Sequence, residues 1–285
     1  MNNSNPLHIP PPRGGTDIAD DIFQKLGDIL KQRRGFSIGC YKDKCIKRRI
    51  AIRIRATHSL SAEEYCELLQ NDDAELDRLV KVLTIHVSQF FRNWPTYAKL
   101  KDEIFPYLFT ERAAAGSGLG IWSVGCASGE EPYSIALLLK EYLPSEFARY
   151  GARILATDVD TAILDQARQG LFTEDRLTEV PEKILKSWFT NIDGKYRLAP
   201  EIMAMVDFEQ GDIFAVKSYT KQDLILCRNV LIYFERFQQE LILNGFADAL
   251  GSGGVLVLGK AETLIGNTRN RFQTICPVER IYRVV

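Results

Sequence analysis

The stretch Ile121-Trp-Ser-Val-Gly-Cys-Ala-Ser-Gly-Glu-Glu-Pro-Tyr-Ser134 reads as a buried strand running into a glycine turn and then straight into a helix. No other segment constrains the fold as strongly. An open, doubly wound α/β sheet uses such junctions to present backbone N–H groups to a ligand at the carboxyl ends of its strands. Ser128 and Glu131 have the spacing of a capping box, and Pro132 suits a first helical turn. Behind them Ile135, Leu138, Leu139 and Tyr142 carry the spacing of a helical core face. A cap and a ligand contact through Glu131 are compatible readings.

A second apolar run, Arg153-Ile-Leu-Ala-Thr157, ends in Asp158. A carboxylate at a strand tip can accept hydrogen bonds from both hydroxyls of a ribose. The turn is not the G-x-G-x-x-G of a dinucleotide fold, and the acid lies further on than the roughly 20 residues of that fingerprint. One adenosyl group fits this pattern better than two, which points to S-adenosylmethionine.

A chain of 285 residues has room for one large domain or two smaller ones. No apolar run approaches the ~20 residues that cross a bilayer, and the amino terminus lacks a secretion signal, so the expected location is cytoplasmic. Six cysteines are scattered without a C-x-x-C and histidines number only three, which argues against a metal site. Cys126 and Cys227 are expected at strand ends as small buried hydrophobes. Charge is unevenly spread. Between Lys31 and Arg55 there are ten basic residues and one acid, Asp43, whereas the rest of the chain carries 26 basic and 36 acidic residues. Such a cationic patch suits an anionic partner.

Residues 1–15 contain Ile9-Pro-Pro-Pro-Arg-Gly-Gly15 and read as a disordered leader. Residues 16–92 read as a small all-α domain. Ile22, Leu26, Ile29 and Leu30 form one apolar stripe, and Ile46, Ile50 and Ile54 another. A capping box at Ser61-Ala-Glu-Glu64 opens a third helix, and 74–83 suggests a fourth. Residues 93–285 read as a doubly wound, Rossmann-like α/β domain, with strands at 119–124, 152–157, 205–209, 223–227 and 253–259. Residues 172–205 interrupt it as a small antiparallel β insertion, with Asp193-Gly194 as its hairpin turn. Residues 272–285 are expected to close the sheet as an antiparallel edge.

Four ordered segments resemble one family, the bacterial chemotaxis receptor methyltransferases (CheR). They are Leu83-Thr-Ile-His-Val-Ser-Gln-Phe-Phe-Arg92, Trp122 to Ser134, Ala156-Thr-Asp-Val-Asp160, and Cys227-Arg-Asn-Val-Leu-Ile-Tyr-Phe234. The resemblance implies methyl transfer from S-adenosyl-L-methionine to glutamate side chains on the cytoplasmic helical bundle of chemoreceptors, leaving S-adenosyl-L-homocysteine. It places cofactor contacts at His86, Ser88, Arg92, Glu131, Asp158, Asp212, Ile213, Arg228 and Asn229, with Arg92 and Tyr233 at the reacting centre. The chain departs from the family pattern at His86 (usually Asn), Ser88 (usually Thr), Asp212 (Asn in some members) and Lys260 (commonly His). Phe90 and Phe91 read as core packing.

On a helical wheel Lys42, Arg49 and Arg53 fall within about 40° of one another, and Lys44, Arg48 and Arg55 form a second stripe. Both stripes are expected to dock an acidic receptor surface. A nucleic-acid methyltransferase is the rival enzyme class, and a cofactor-binding signalling module without turnover is the rival outside enzymes. Nucleic acid and direct membrane insertion are not expected, and a monomer is. Some family members tether themselves to a receptor's carboxyl-terminal pentapeptide through a longer, glycine-rich loop in the β insertion. Phe189-Thr-Asn-Ile-Asp-Gly-Lys-Tyr196 is short and has one glycine, so pentapeptide-independent action is expected.

Overall fold

The computed structural model describes residues 18–84, 88–113, 118–215, 219 and 222–285, and the chain divides into two units between Leu83 and Thr84. The expected leader, 1–15, and His86 lie outside the described residues. The division falls earlier than the expected boundary at 92/93, because the end of the first segment packs elsewhere. Phe90 and Phe91 are fully buried in the α/β core, Phe90 edge-on to Phe172 and Phe189, and Phe91 edge-on to Trp94 and Tyr97.

The first unit is all-α: α1 (Asp20–Arg34), α2 (Asp43–Ala56), α3 (Ala62–Asn71) and α4 (Asp73–Leu83). Its core joins Leu26, Ile29 and Leu30 of α1 to Ile46 and Ile50 of α2 and to Tyr65, Leu69, Leu76, Leu79 and Leu83. Ile22 and Ile54, the outer members of the expected stripes, pack at its fringe. Gly35 ends α1 in the left-handed conformation (φ 67°) that a helix stop favours. Ser61 caps α3 as its spacing predicts, its Oγ accepting from the Glu64 N–H at 3.2 Å.

The second unit opens with α5 (Trp94–Lys99), which runs through a π turn at Leu100–Ile104 into α6 (Phe105–Ala113). Next come β1 (Leu119–Val124), α7 (Glu130–Tyr142), α8 (Pro144–Tyr150), β2 (Ala152–Asp158) and α9 (Thr161–Gln169). The insertion supplies β3 (Leu171–Thr173), α10 (Glu182–Trp188), β4 (Phe189–Ile192), β5 (Lys195–Leu198) and α11 (Pro200–Met203). The chain closes with β6 (Val206–Gln210), β7 (Gln222–Cys227), α12 (Arg236–Ala249), β8 (Leu250–Leu258), β9 (Phe272–Cys276) and β10 (Ile281–Val284).

The main sheet has the order β6-β2-β1-β7-β8-β10-β9. Its first five strands are parallel, and β1 sits between β2 and β7 with Trp122 level with Leu155 and Ile225. The central strands β1 and β7 are near-continuous apolar runs, as in a sheet covered on both faces, whereas β6 at the edge is half polar. The order reverses between β1 and β7, which is where an open α/β sheet leaves a ligand crevice at its carboxyl end. The closing segment forms the expected antiparallel edge with two strands. β10, antiparallel to both neighbours, lies inside the sheet, and β9 forms the edge. The insertion is a three-stranded antiparallel sheet, β3-β5-β4. Asp193 (φ 51°) and Gly194 (φ 80°) both take positive φ in the two-residue hairpin turn that their pairing predicts. Among the described residues no helix is long and apolar enough to cross a membrane.

Candidate active site

Four neighbouring strand tips bring most of the expected cofactor residues together. At the tip of β1 the backbone turns left-handed at Gly125 (φ 65°), Ala127 (φ 49°) and Gly129 (φ 92°). A Cβ on Gly125 would stand 2.7 Å from Val230 Cγ2, so only glycine allows this turn to lie against the loop after β7. The Ala127 N–H donates to Asp158 Oδ2 at 3.0 Å, and the Asp160 N–H donates to Asp158 Oδ1 at 3.1 Å. Asp158 is thereby pinned at the tip of β2 with one backbone donor on each oxygen.

The expected capping box does not form. Helix α7 starts at Glu130 behind Gly129, and Ser128 Oγ donates to the Glu130 carboxylate at 2.8 and 2.9 Å. The left-handed Gly129 ends the turn where a capping serine would need extended backbone. Pro132 does sit in the first turn. Glu131 turns towards β1, accepting from Ser123 Oγ at 2.8 Å and facing Arg228 Nη1 at 3.6 Å. Burial pushes its carboxyl pKa up, with Arg228 and Ser123 opposing and Glu262 adding to the rise.

Arg228 follows β7 and is the hub of the site. Its Nη2 donates to the Arg92 carbonyl at 2.7 Å and to Asn93 Oδ1 at 3.2 Å, and its guanidinium lies 5.5 Å from the Tyr97 ring centroid. The segment bearing Ser88 and Arg92 is held at further points. Arg176 Nη1 donates to the Ser88 carbonyl, the Phe90 N–H to the Arg176 carbonyl at 3.0 Å, and the Phe91 N–H to Ser134 Oγ at 2.9 Å. Phe91 (φ 51°) and Asn93 (φ 65°) flank Arg92 in the left-handed region, so Arg92, half-buried, sits on a sharply turned backbone. Tyr233 ends a 3₁₀ turn at Leu231–Tyr233, also half-buried. Asp212 and Ile213 follow β6 beside the tip of β2, with Gly211 N–H donating to the Asp158 carbonyl at 3.0 Å. Asp212 is exposed, and its Oδ1 accepts from the Phe214 N–H at 2.9 Å in an Asx turn.

Residues outside the sequence reading complete this region. Ser123, Ser134 and Arg176 carry contacts described above, and Glu262 gathers backbone donors behind the loop after β7. The sequence signal for Glu262 is an acid three residues past the glycine that ends the apolar run of β8. Lys260, a departure from the family pattern, reaches Glu279 at 2.6 Å, and Glu279 also accepts from Thr96 Oγ1 at 2.7 Å. Cys126 and Cys227 are buried at strand ends as expected, and burial pushes both thiols well up, away from thiolate chemistry.

The site residues match the polar groups of S-adenosylmethionine. Asn229 Oδ1 is a buried acceptor and Arg228 Nε a buried donor, each without a protein partner among the described residues. Acceptors at Asn229, Glu131 and Asp158 suit an ammonium and ribose hydroxyls, and the buried donor of Arg228 suits a carboxylate.

The basic helix α2 divides between two environments in the first unit. Arg53, expected on a docking stripe, donates bidentately to buried Glu75 at 2.9 and 2.6 Å. Arg49 donates to the Val82 carbonyl at 2.7 Å, and Lys42 is half-buried. Lys44, Arg48 and Arg55 are exposed.

Comparison with known proteins adds two family models. One, described as CheR methyltransferase, all-alpha domain, matches residues 21–84, and the other, CheR methyltransferase, SAM binding domain, matches residues 86–279. The chain is 32% identical to Chemotaxis protein methyltransferase 2 of Vibrio cholerae over 92% of this chain and 91% of that one. It is 31% identical to a chemotaxis protein methyltransferase of Borreliella burgdorferi over 88% of this chain and 91% of the relative. It is also 33% identical to an uncharacterized 104.1 kDa protein of Rhodobacter capsulatus, of which it spans 28% of the length.

Proposed function

The chain belongs to the CheR methyltransferase family, an S-adenosylmethionine-dependent group, and we propose that it methylates glutamate side chains of chemoreceptors to give γ-methyl esters. The observation that carries this is the convergence of Glu131, Asp158, Arg228 and Asn229 at the switch point of the sheet, with Arg92 held beside them by Arg228. When bound, S-adenosylmethionine supplies an electrophilic methyl group on a sulfonium.

A glutamate side chain has a reference pKa of about 4.3 and is already an anion at pH 7. It needs no general base, so the protein's task is alignment of the acceptor carboxylate. Arg92 suits that task, because a guanidinium fork can grip a carboxylate at two points. Tyr233, half-buried on the same loop that carries Arg228, is assigned to the reacting centre by family resemblance. Attack neutralises charge, which a buried site of fixed dipoles favours over water. Asp212 and Ile213 are assigned to the adenine end, and Ser88 and His86 to the cofactor, by family resemblance. Receptor docking is assigned to the exposed stripe Lys44, Arg48 and Arg55.

The test uses labelled cofactor with either a receptor cytoplasmic fragment or RNA. Carboxyl methyl esters release their label as methanol in mild base, whereas N-methyl groups retain it. Base-stable label on RNA would replace this reading with the nucleic-acid one, and cofactor binding without any transfer would leave only a signalling module.

A further inference from the structure

We propose that Glu262 is a positioning residue for the methyl-transfer site, its carboxylate shaping the loop after β7 that carries Arg228, Asn229 and Tyr233. This rests on the assignment of Arg228 and Asn229 to the cofactor.

Glu262 is 4% exposed and spends its carboxylate on backbone donors. Oε2 accepts from the Asn229 N–H at 2.9 Å and the Gly259 N–H at 2.6 Å, and Oε1 accepts from the Val230 N–H at 2.8 Å and the Ile232 N–H at 3.3 Å. Strands β7 and β8 are parallel neighbours, with Cys227 level with Leu258, so the two strand ends emerge side by side. Glu262 bridges them. Three N–H groups within four residues can face one carboxylate only if the backbone between them turns sharply. Asn229 supplies that turn at φ 62°, a conformation asparagine tolerates better than most residues.

The neighbouring glycines leave the loop little freedom. A Cβ on Gly259 would stand 2.7 Å from both the Asn229 nitrogen and Glu262 Oε2, and one on Gly125 would stand 2.7 Å from Val230. The loop is therefore clamped from β8 by Glu262 and from β1 by the glycine turn. The clamp also holds Asn229 Oδ1 buried with no protein partner among the described residues. Glutamine cannot substitute, since its one carbonyl oxygen serves one pair of donors while its amide N–H₂ faces the other pair.

Calorimetric titration of S-adenosylhomocysteine into the full chain tests this. Glu262→Gln is expected to weaken binding at least about tenfold at a temperature well below its own Tm, a change of about 1.4 kcal/mol. In turnover assays, KM for the cofactor should rise with it. Glu279→Gln is the control. Glu279 is also a buried carboxylate in this region, but it holds Lys260 and Thr96, and its variant should bind within about twofold of wild type despite a similar loss of stability. Wild-type affinity in folded Glu262→Gln would overturn the proposal, and so would an equal loss in Glu279→Gln. If Glu262→Gln does not fold, Glu262→Asp, which keeps the charge but falls one methylene short, is judged by the same criteria. Wild-type affinity in Asn229→Ala would remove the premise. No receptor enters the titration, so the identity of the methyl acceptor does not affect the result.

Discussion

Arg53 grips Glu75 through two hydrogen bonds, Nε to Oε1 at 2.9 Å and Nη2 to Oε2 at 2.6 Å, and only 1% of the Glu75 side chain is exposed. Tyr65 adds a third donor at 2.8 Å. Arg78, largely exposed, reaches the same carboxylate only at 3.4 Å, so Arg53→Ala leaves a buried charge poorly paired and should destabilise the helical unit by about 3 kcal/mol. Arg55→Ala, on the exposed side of the same helix, should stay within about 0.5 kcal/mol of wild type. Burial alone would raise the Glu75 pKa, but hydrogen bonds from Arg53 and Tyr65 and the Arg53 charge hold it below the ordinary value. Its contribution is then present above the unfolded pKa of about 4.3 and lost as pH falls through the lower, folded value. Urea midpoints measured down an acid series should show that loss in wild type and not in Glu75→Gln. A common acid limb in both proteins would break the assignment.

The same relationship moves the docking surface. With Arg53 committed to Glu75, the free face of α2 is the Lys44, Arg48, Arg55 stripe. Reversing all three charges should raise KM for a receptor fragment about tenfold and flatten its salt dependence, leaving cofactor affinity unchanged. Unaltered KM would make the stripe a solvated face, and tight, salt-sensitive RNA binding by wild type would favour the nucleic-acid reading.

The strand–turn–helix at 121–134, the acid at Asp158 and the Asp193-Gly194 hairpin were legible in the sequence because each is a local pattern with a local cause. The strands followed from continuous apolar runs such as Leu224-Ile-Leu226. What escaped depends on contacts distant in sequence. A helical wheel places Arg53 beside Arg49 but carries no sign of Glu75, 22 residues further on, waiting in the core. Ser128 and Glu131 have capping-box spacing, but the left-handed Gly129 starts the helix at Glu130 and turns Glu131 towards Ser123 instead. Glu262 gains its meaning only when β7 and β8 are seen to be neighbours. The placement of β10 inside the sheet is likewise a matter of pairing, which two short apolar runs do not encode.

Asp158 should matter to cofactor affinity and not to the methyl acceptor. Its carboxylate is fixed by the Ala127 and Asp160 N–H groups, so Asp158→Ala removes a preset acceptor and should weaken S-adenosylhomocysteine binding by about 1.5–3 kcal/mol, the range for charge-assisted hydrogen bonds. Titration calorimetry reads this directly. Unchanged affinity would take the ribose away from Asp158.

Arg92 and Tyr233 should separate binding from chemistry. Arg92 sits on backbone held through its own carbonyl by Arg228, so truncating its side chain leaves that hydrogen bond in place. If the fork aligns the acceptor carboxylate, Arg92→Ala lowers kcat by about 10²-fold with cofactor affinity nearly intact. A large loss of affinity would assign the fork to the cofactor's methionyl group instead. Tyr233→Phe keeps the ring and removes only the hydroxyl, so kcat should fall with little change in KM. Normal turnover would make Tyr233 a packing residue.

Recruitment should not use a carboxyl-terminal receptor pentapeptide. The β4–β5 hairpin closes in two residues, with Asn191 Oδ1 accepting from the Gly194 N–H at 3.2 Å, and it offers no extended loop. The outer edge of β4 spans only Phe189–Ile192, and a strand that short forms few main-chain hydrogen bonds with an added peptide. Free pentapeptide titrated into the protein should give no detectable heat, and receptor lacking its tail should be methylated at the rate of the intact receptor. Micromolar binding, or a marked fall in rate on tail deletion, would show that the edge of β4 receives the tail after all.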